Sequence, residues 1–127
     1  MTTEQRQQVQ AYMEQCLTRR WERGVWDCAL FAADVVAILT GTDHAAGMRG
    51  QYATREECLA LLPVPLRQLP EHCGLRPSPP VDGAVFWVPS NDPEGTLGIV
   101  WQGHLWHPGR RGLIAPWRDI SMVKFYI

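Results

Sequence analysis

The sequence lacks a long apolar run, an excess of charge of either sign, and any closely spaced pair of cysteines. No apolar stretch approaches the roughly 20 residues that a membrane-spanning helix needs. The N-terminal residues 2–8 are polar and lack the apolar core of a signal peptide. We therefore expect a chain that is made and folded in the cytoplasm, without membrane insertion.

The charge balance excludes one large class of partners. The formal net charge is −1, from 12 basic and 13 acidic residues, and no long run has one sign. Such a sequence has no electrostatic footprint for nucleic acid or for an anionic membrane. Nucleic-acid binding is therefore not expected.

The four cysteines, at positions 16, 28, 58 and 73, include no CxxC pair. Together with the histidines they also lack the spacings that are typical of zinc sites. We expect free thiols in a reducing compartment, with no disulfide framework, no metal and no other cofactor.

The apolar fraction of 46% is enough for one folded domain spanning residues 1–127. Residues 1–76 have mainly helical patterns and residues 82–127 mainly strand-like ones. Between them, the proline cluster at 77–80 favours an extended crossing, because proline disfavours helix at the preceding residue. The sequence predicts an α+β fold, with N-terminal helices packed on a small antiparallel sheet of about five strands.

Capping boxes, apolar periodicity and glycine stops set the predicted boundaries. The predicted helices cover residues 2 to about 23, 28–40, 54–62 and about 65–73. The predicted strands cover residues 84–88, 97–101, 104–107, 112–115 and 122–127, with a hairpin turn at Gln102-Gly103.

The start of the second helix, Trp26-Asp27-Cys28, carries the most distinctive chemistry. Asp27 is suited to the N-cap, and Cys28 is then the first helical residue. The helix dipole favours a thiolate at that position, which is one route to a nucleophilic cysteine. Cys28 also lies on an apolar helical stripe, where a cysteine is more often a small core residue.

The order of the motifs resembles the NlpC-type cysteine peptidases, which have a papain-like fold, and in particular their short phage tail-tip relatives of uncharacterised function. The resemblance extends from about residue 20 to residue 107. It is carried by Trp26-Asp27-Cys28-Ala29-Leu30-Phe31, Thr40-Gly41-Thr42-Asp43, Arg49-Gly50-Gln51-Tyr52, Val81-Asp82-Gly83-Ala84-Val85-Phe86 and Leu97-Gly98-Ile99-Val100.

The resemblance implies a nucleophile at Cys28, a base at the position of Thr96 and a third polar residue near His107. Threonine does not exchange protons near neutral pH as imidazole does. His107 is therefore the remaining candidate base. His104 lies three positions earlier on the same predicted strand and so faces the opposite side. We treat it, with Trp26 and Asp27, as supporting residues.

Two functions follow from the resemblance. The first is a phage tail-tip component with a degenerate peptidase-like fold, which docks onto tail hub proteins through its helices and its freer tryptophans, Trp21 and Trp117. Such a protein is assembled in the host cytoplasm and ends in the virion tail. The alternative is an active cysteine peptidase that cleaves peptidoglycan stem peptides during infection, with Cys28 as nucleophile and His107 as base.

Overall fold

The computed structural model describes residues 1–127 and has an α+β architecture, as predicted. All helices precede residue 76 and all strands follow it. The helices are α1 (Thr3–Cys16), α2 (Cys28–Thr40), α3 (Arg55–Leu61) and α4 (Leu69–His72), with a 3₁₀ turn at Leu66–Gln68. The strands are β1 (Val85–Val88), β2 (Thr96–Trp101), β3 (His104–Gly109), β4 (Gly112–Ile114) and β5 (Lys124–Tyr126).

The strands form one antiparallel sheet in the order β4-β3-β2-β1-β5. The predicted hairpin joins β2 to β3, and its turn residues Gln102 and Gly103 have φ values of 50° and 78°. Two positive φ values in a two-residue loop are what a type I′ turn requires, and its twist matches that of the flanking strands.

The two edges of the sheet differ. Beyond β5, the backbones of Arg76 and Ile127 exchange two hydrogen bonds of 2.9 and 2.8 Å, and the Ser78 N–H donates to the Phe125 carbonyl at 2.9 Å. The segment before the sheet therefore covers this edge. The opposite edge is β4, which has only three residues.

Helix α1 begins at the predicted capping box, in which Thr2 and Gln5 each accept a hydrogen bond from the other's backbone N–H. The prediction that it continues to about residue 23 is wrong, because the helix ends at Cys16. The following residues leave the helix and lie against the β3–β4 turn. At Gly112, an added Cβ would come within 1.8 Å of the Leu17 carbonyl oxygen.

Helix α2 has the predicted bounds, with Asp27 as N-cap and Gly41 as a left-handed C-cap at φ 80°. Its buried face is wider than the predicted stripe, since Leu30 and Val36 are also buried. Helix α2 packs against α1, β2 and β3, and these elements together bury more of its surface than one neighbour would. No helix has the length and apolarity that crossing a membrane requires.

The sheet carries apolar clusters on both faces, because side chains alternate along each strand. The larger cluster lies between the sheet and the helices and includes Phe31 and Ile99. The smaller cluster lies on the other face and includes Phe86 and Val100. Trp117 covers it, with its ring centroid 5.6 Å from that of Phe86. The prediction that Trp117 is free is therefore wrong, since it is half-buried in this cluster.

Candidate functional site

The turn before α2 is held by the carboxylate of Asp27, which is only 6% exposed. One oxygen accepts from the Leu30 N–H at 3.0 Å. The other accepts from the Gly24 N–H at 3.0 Å and from the Tyr52 hydroxyl at 2.6 Å. A buried charge is stable only when its hydrogen-bonding capacity is used, and here three donors use it. Asp27 therefore positions the backbone of the turn.

Trp26, the other residue of this turn, is fully buried. Its indole N–H donates to the Tyr12 hydroxyl at 3.2 Å, and that hydroxyl donates to the carboxylate of Asp34. Arg49 then bridges Asp34 at 2.6 Å and Asp43 at 2.9 Å. This network ties the loop after α2 to both α1 and α2, so the frame around Cys28 is rigid.

Cys28 lies at the edge of a cavity of about 230 Å³ beside the first residues of β2. The structure brings all three residues singled out by the resemblance to this cavity. Its polar and chemistry-bearing lining residues are Cys28, Thr96, His107, Cys58, Trp21, Arg23, Asp27, Arg55, Asp92 and Glu94.

Burial raises the pKa of the Cys28 thiol from its ordinary 9.0 to about 12. A hydrogen bond from the Leu97 backbone acts in the opposite direction, and the nearby charge of Asp27 raises the pKa further. A helix dipole contributes about 1 kcal/mol at most at an ordinary site, which is less than one pKa unit. Loss of hydration therefore outweighs the thiolate stabilisation expected from the helix start, and Cys28 is a neutral thiol near pH 7.

Thr96 occupies the position that the resemblance assigns to the base. Its hydroxyl donates to the Ser90 hydroxyl at 2.9 Å, so its proton is directed away from the thiol. Ile99 pairs with Trp106 across the hairpin, which places Gly98 opposite His107. Thr96 and His107 therefore share the sheet face that is opposite to the helices.

His107 has an unused nitrogen. Its Nε2 atom is buried and has no hydrogen-bond partner, so it makes no bond with Cys28. The ring lies against Trp117, with 4.4 Å between centroids. Burial lowers the pKa of His107 to about 4, against the effect of a hydrogen bond to the Pro108 backbone. Near neutral pH, Cys28 and His107 are thus two neutral groups, and the His107 ring packs against Trp117 on the sheet face away from the helices.

His104 lies apart from this cavity. It pairs with Trp101 at the start of β3, is exposed, and meets the Trp106 ring edge-on at 5.9 Å. The expectation that His104 and His107 point to opposite faces agrees with this register. His104 lies on the helix side of the sheet but at the far end of β2, beside Trp101, and it does not line the Cys28 cavity.

Cys58 is a cavity residue that the sequence did not single out as such. It belongs to α3, and burial raises the pKa of its thiol as well. Beside it, Arg55 pairs with Asp92 at 2.9 Å near the mouth of the cavity. The capping box in the sequence predicts where α3 starts. It does not predict that α3 lies next to Cys28, because that contact joins distant parts of the chain.

The remaining cysteines and histidines are candidate disulfide partners or metal ligands. All four cysteines are free thiols, as predicted. No group of three or more His, Cys, Asp or Glu side chains is arranged to hold a metal ion. A second cavity of about 300 Å³ lies on the other side of α2, and its lining is mostly apolar, with His44, His72 and Cys73 among its residues.

Comparison with known proteins assigns the chain to a family. The family model described as a domain of unknown function, DUF6950, matches residues 1–125. The chain belongs to the DUF6950 family. No curated protein and no solved structure matched it. The DUF6950 match includes the helices, the sheet and the whole Cys28 cavity, so this cavity is part of the domain itself.

Proposed function

We propose that this DUF6950 protein is a phage tail-tip component with a degenerate NlpC-like, papain-like peptidase fold, which docks onto tail hub proteins and does not cleave peptide bonds. The phage context follows from the motif resemblance. The main observation against catalysis is that no base forms a hydrogen bond with the Cys28 thiol.

The chemistry of the cavity supports this proposal. A cysteine peptidase needs a thiolate and an imidazole that accepts its proton. Burial raises the pKa of the Cys28 thiol to about 12, so the thiol is almost entirely protonated at pH 7. Thr96 supplies no base, and His107 makes no hydrogen bond to the thiol.

The surface supports docking. Leu17 and Trp21 are 50% and 38% exposed just after α1, and Met122 is 67% exposed near the last strand. Exposed apolar side chains next to a rigid frame are common at contact surfaces, and tryptophan is enriched among the residues that dominate binding.

One observation favours the alternative, an active cysteine peptidase that cleaves peptidoglycan stem peptides with Cys28 as nucleophile and His107 as base. Both residues line one cavity, and the Nε2 atom of His107 is free to accept a proton. This mechanism requires the His107 ring to leave Trp117 and approach the thiol when substrate binds.

Peptidoglycan hydrolysis separates the two functions. Purified wild-type protein and the Cys28→Ala variant are incubated with peptidoglycan and with synthetic stem peptides, and the products are followed by mass spectrometry. We expect no cleavage by either protein. The Cys73→Ala variant is the control, because Cys73 lies in the other cavity. Cleavage that is lost in Cys28→Ala and kept in Cys73→Ala would overturn the non-catalytic proposal.

The tail assignment is tested separately. Particles from a phage or lysogen that encodes the chain are purified by density gradient and analysed by mass spectrometry. We expect the chain in intact particles, and we expect Cys28→Ala to support the same particle yield as the wild type. Absence of the protein from purified tails would contradict the proposal that it is a tail component.

A further inference from the structure

We propose that five arginines at one end of the molecule form a docking surface for a carboxylate-rich segment of a partner protein. The surface, here called the arginine surface, consists of Arg19, Arg20, Arg23, Arg110 and Arg111. This inference rests on the proposed docking function and names the surface and the chemistry of the partner.

The fold brings these arginines together from two distant parts of the sequence. Residues 17–23 follow α1 and lie against the turn between β3 and β4. The Trp21 N–H donates to the Arg110 carbonyl at 3.3 Å. Gly112 allows the close approach, since any side chain there would collide with the Leu17 carbonyl. The segment that carries Arg19, Arg20 and Arg23 thus lies next to the turn that carries Arg110 and Arg111.

No member of the arginine surface forms an ion pair. The four salt bridges of the structure use Arg6, Arg49 and Arg55. Arg19 and Arg23 instead lie over the rings of Trp26 and Trp21, at 5.2 and 5.0 Å from the ring centroids. The other three arginines are exposed.

The arginine surface gives the molecule an uneven charge distribution, although its net charge is only −1. Glu22 is the only acidic residue in the two segments, which gives the surface a charge of +4. The rest of the chain then has seven basic and twelve acidic residues, a charge of −5. A field of this kind attracts and orients a partner of opposite charge.

The composition of the surface favours a protein carboxylate over a nucleic acid. The guanidinium group binds carboxylates through two parallel hydrogen bonds. Leu17 and Trp21 are exposed among the arginines and offer the apolar contacts that a protein segment uses. A nucleic acid is a long polyanion, and beyond this small surface it would meet the negative remainder of the molecule.

The arginine surface also borders the Cys28 cavity, because Trp21 and Arg23 line both. A segment bound along the arginines therefore reaches the mouth of the cavity. Docking should shield the Cys28 thiol from small reagents, which gives a readout that is independent of binding strength.

Fluorescence anisotropy tests the proposal with a labelled peptide of about 12 residues in which Glu and Leu alternate. The comparison probes are the same peptide with Lys in place of Glu and a single-stranded DNA of about 12 nucleotides. We expect the acidic peptide to bind most tightly and to slow alkylation of Cys28 by iodoacetamide. Binding should weaken as salt is raised.

The double variant Arg110→Glu with Arg111→Glu should weaken peptide binding by about tenfold or more. The matched control is Arg67→Glu with Arg76→Glu, which changes the net charge by the same amount at exposed positions outside the surface. We expect less than about a twofold change there. Circular dichroism melting of both variants shows whether the fold is retained.

Equal weakening in both double variants, tighter binding of the DNA, or no binding of the acidic peptide would each overturn the proposal. The outcome is separable from that of the proposed function. Absence from virions or cleavage of peptidoglycan would contradict the tail-tip function and leave peptide binding by the arginines unchanged.

Discussion

The two sides of the α2 N-terminus differ in how well their polar groups are satisfied. On one side, the buried carboxylate of Asp27 has three hydrogen-bond donors. On the other side, the Cys28 thiol lies at a cavity, and the Nε2 atom of His107, another residue of its lining, has no hydrogen-bond partner. The contrast indicates that the hydrogen bonds of the turn stabilise the start of α2, whereas the residues around the cavity include a polar group without a partner.

Removing the Asp27 carboxylate should have the largest effect. Asp27→Ala leaves the Gly24 and Leu30 N–H groups and the Tyr52 hydroxyl without an acceptor. We expect the free energy of unfolding to fall by about 3 kcal/mol or more, measured by urea denaturation. The control is Asp119→Ala, which removes an exposed carboxylate bound to the Ser121 N–H and should cost well under about 1 kcal/mol. A similar cost for both would contradict the structural role of Asp27.

The stability of the fold should fall in acid because of His107, whose Nε2 atom has no hydrogen-bond partner. The pKa of His107 is lowered in the folded state to about 4, from 6.5 in the unfolded chain. The unfolded state therefore binds the proton first, so stability is lost as the pH falls from about 6.5 to about 4. With allowance for partial solvent exposure, we expect a loss of at most about 2 kcal/mol.

His107→Phe removes this titration and keeps a ring against Trp117. Its unfolding free energy should vary less over the same pH range than that of the wild type. His44→Phe, at an exposed histidine, is the control and should keep the wild-type pH dependence. If His107→Phe also keeps the wild-type pH dependence, His107 is not the group whose protonation lowers the stability.

Thr96→His places an imidazole at the cavity position where the resemblance expects the base. We expect alkylation of Cys28 by iodoacetamide at pH 7 to accelerate by about tenfold, equivalent to about 1.4 kcal/mol. Thr96→Gln is the matched polar control and should leave the rate near that of the wild type. An unchanged rate in Thr96→His would indicate that an imidazole at position 96 does not interact with the thiol.

Tyr52→Phe gives the smallest effect, since it removes one of three donors to Asp27. We expect a loss of about 1 kcal/mol, measured by the same urea denaturation. The difference between Tyr52→Phe and Asp27→Ala then separates the hydroxyl contribution from that of the two backbone donors. A loss as large as that in Asp27→Ala would mean that the backbone bonds contribute little.

Local chemistry made much of the fold predictable. The capping boxes at Thr2 and Thr54, the N-cap at Asp27 and the left-handed glycine at Gly41 each involve neighbours in sequence, and the structure confirms them. The end of α1 was not predictable, because it depends on a close contact with Gly112 far along the chain.

The sequence grouped three residues that line one cavity, but it did not show the protonation state of the thiol. The resemblance singled out Cys28, Thr96 and His107, and these residues do line one cavity. The protonation state of the thiol depends on burial by the whole fold, which no local pattern shows. For the same reason, a sequence without a basic run did not show that the segment around Trp21 lies next to the turn at Arg110.

The edges of the sheet have a consequence for behaviour at high concentration. An open strand edge is a template on which a second chain can add its own strand and start an aggregate. Here the β5 edge is occupied by the backbone around Arg76, and the β4 edge is three residues long. Self-association by sheet extension therefore has little room to start.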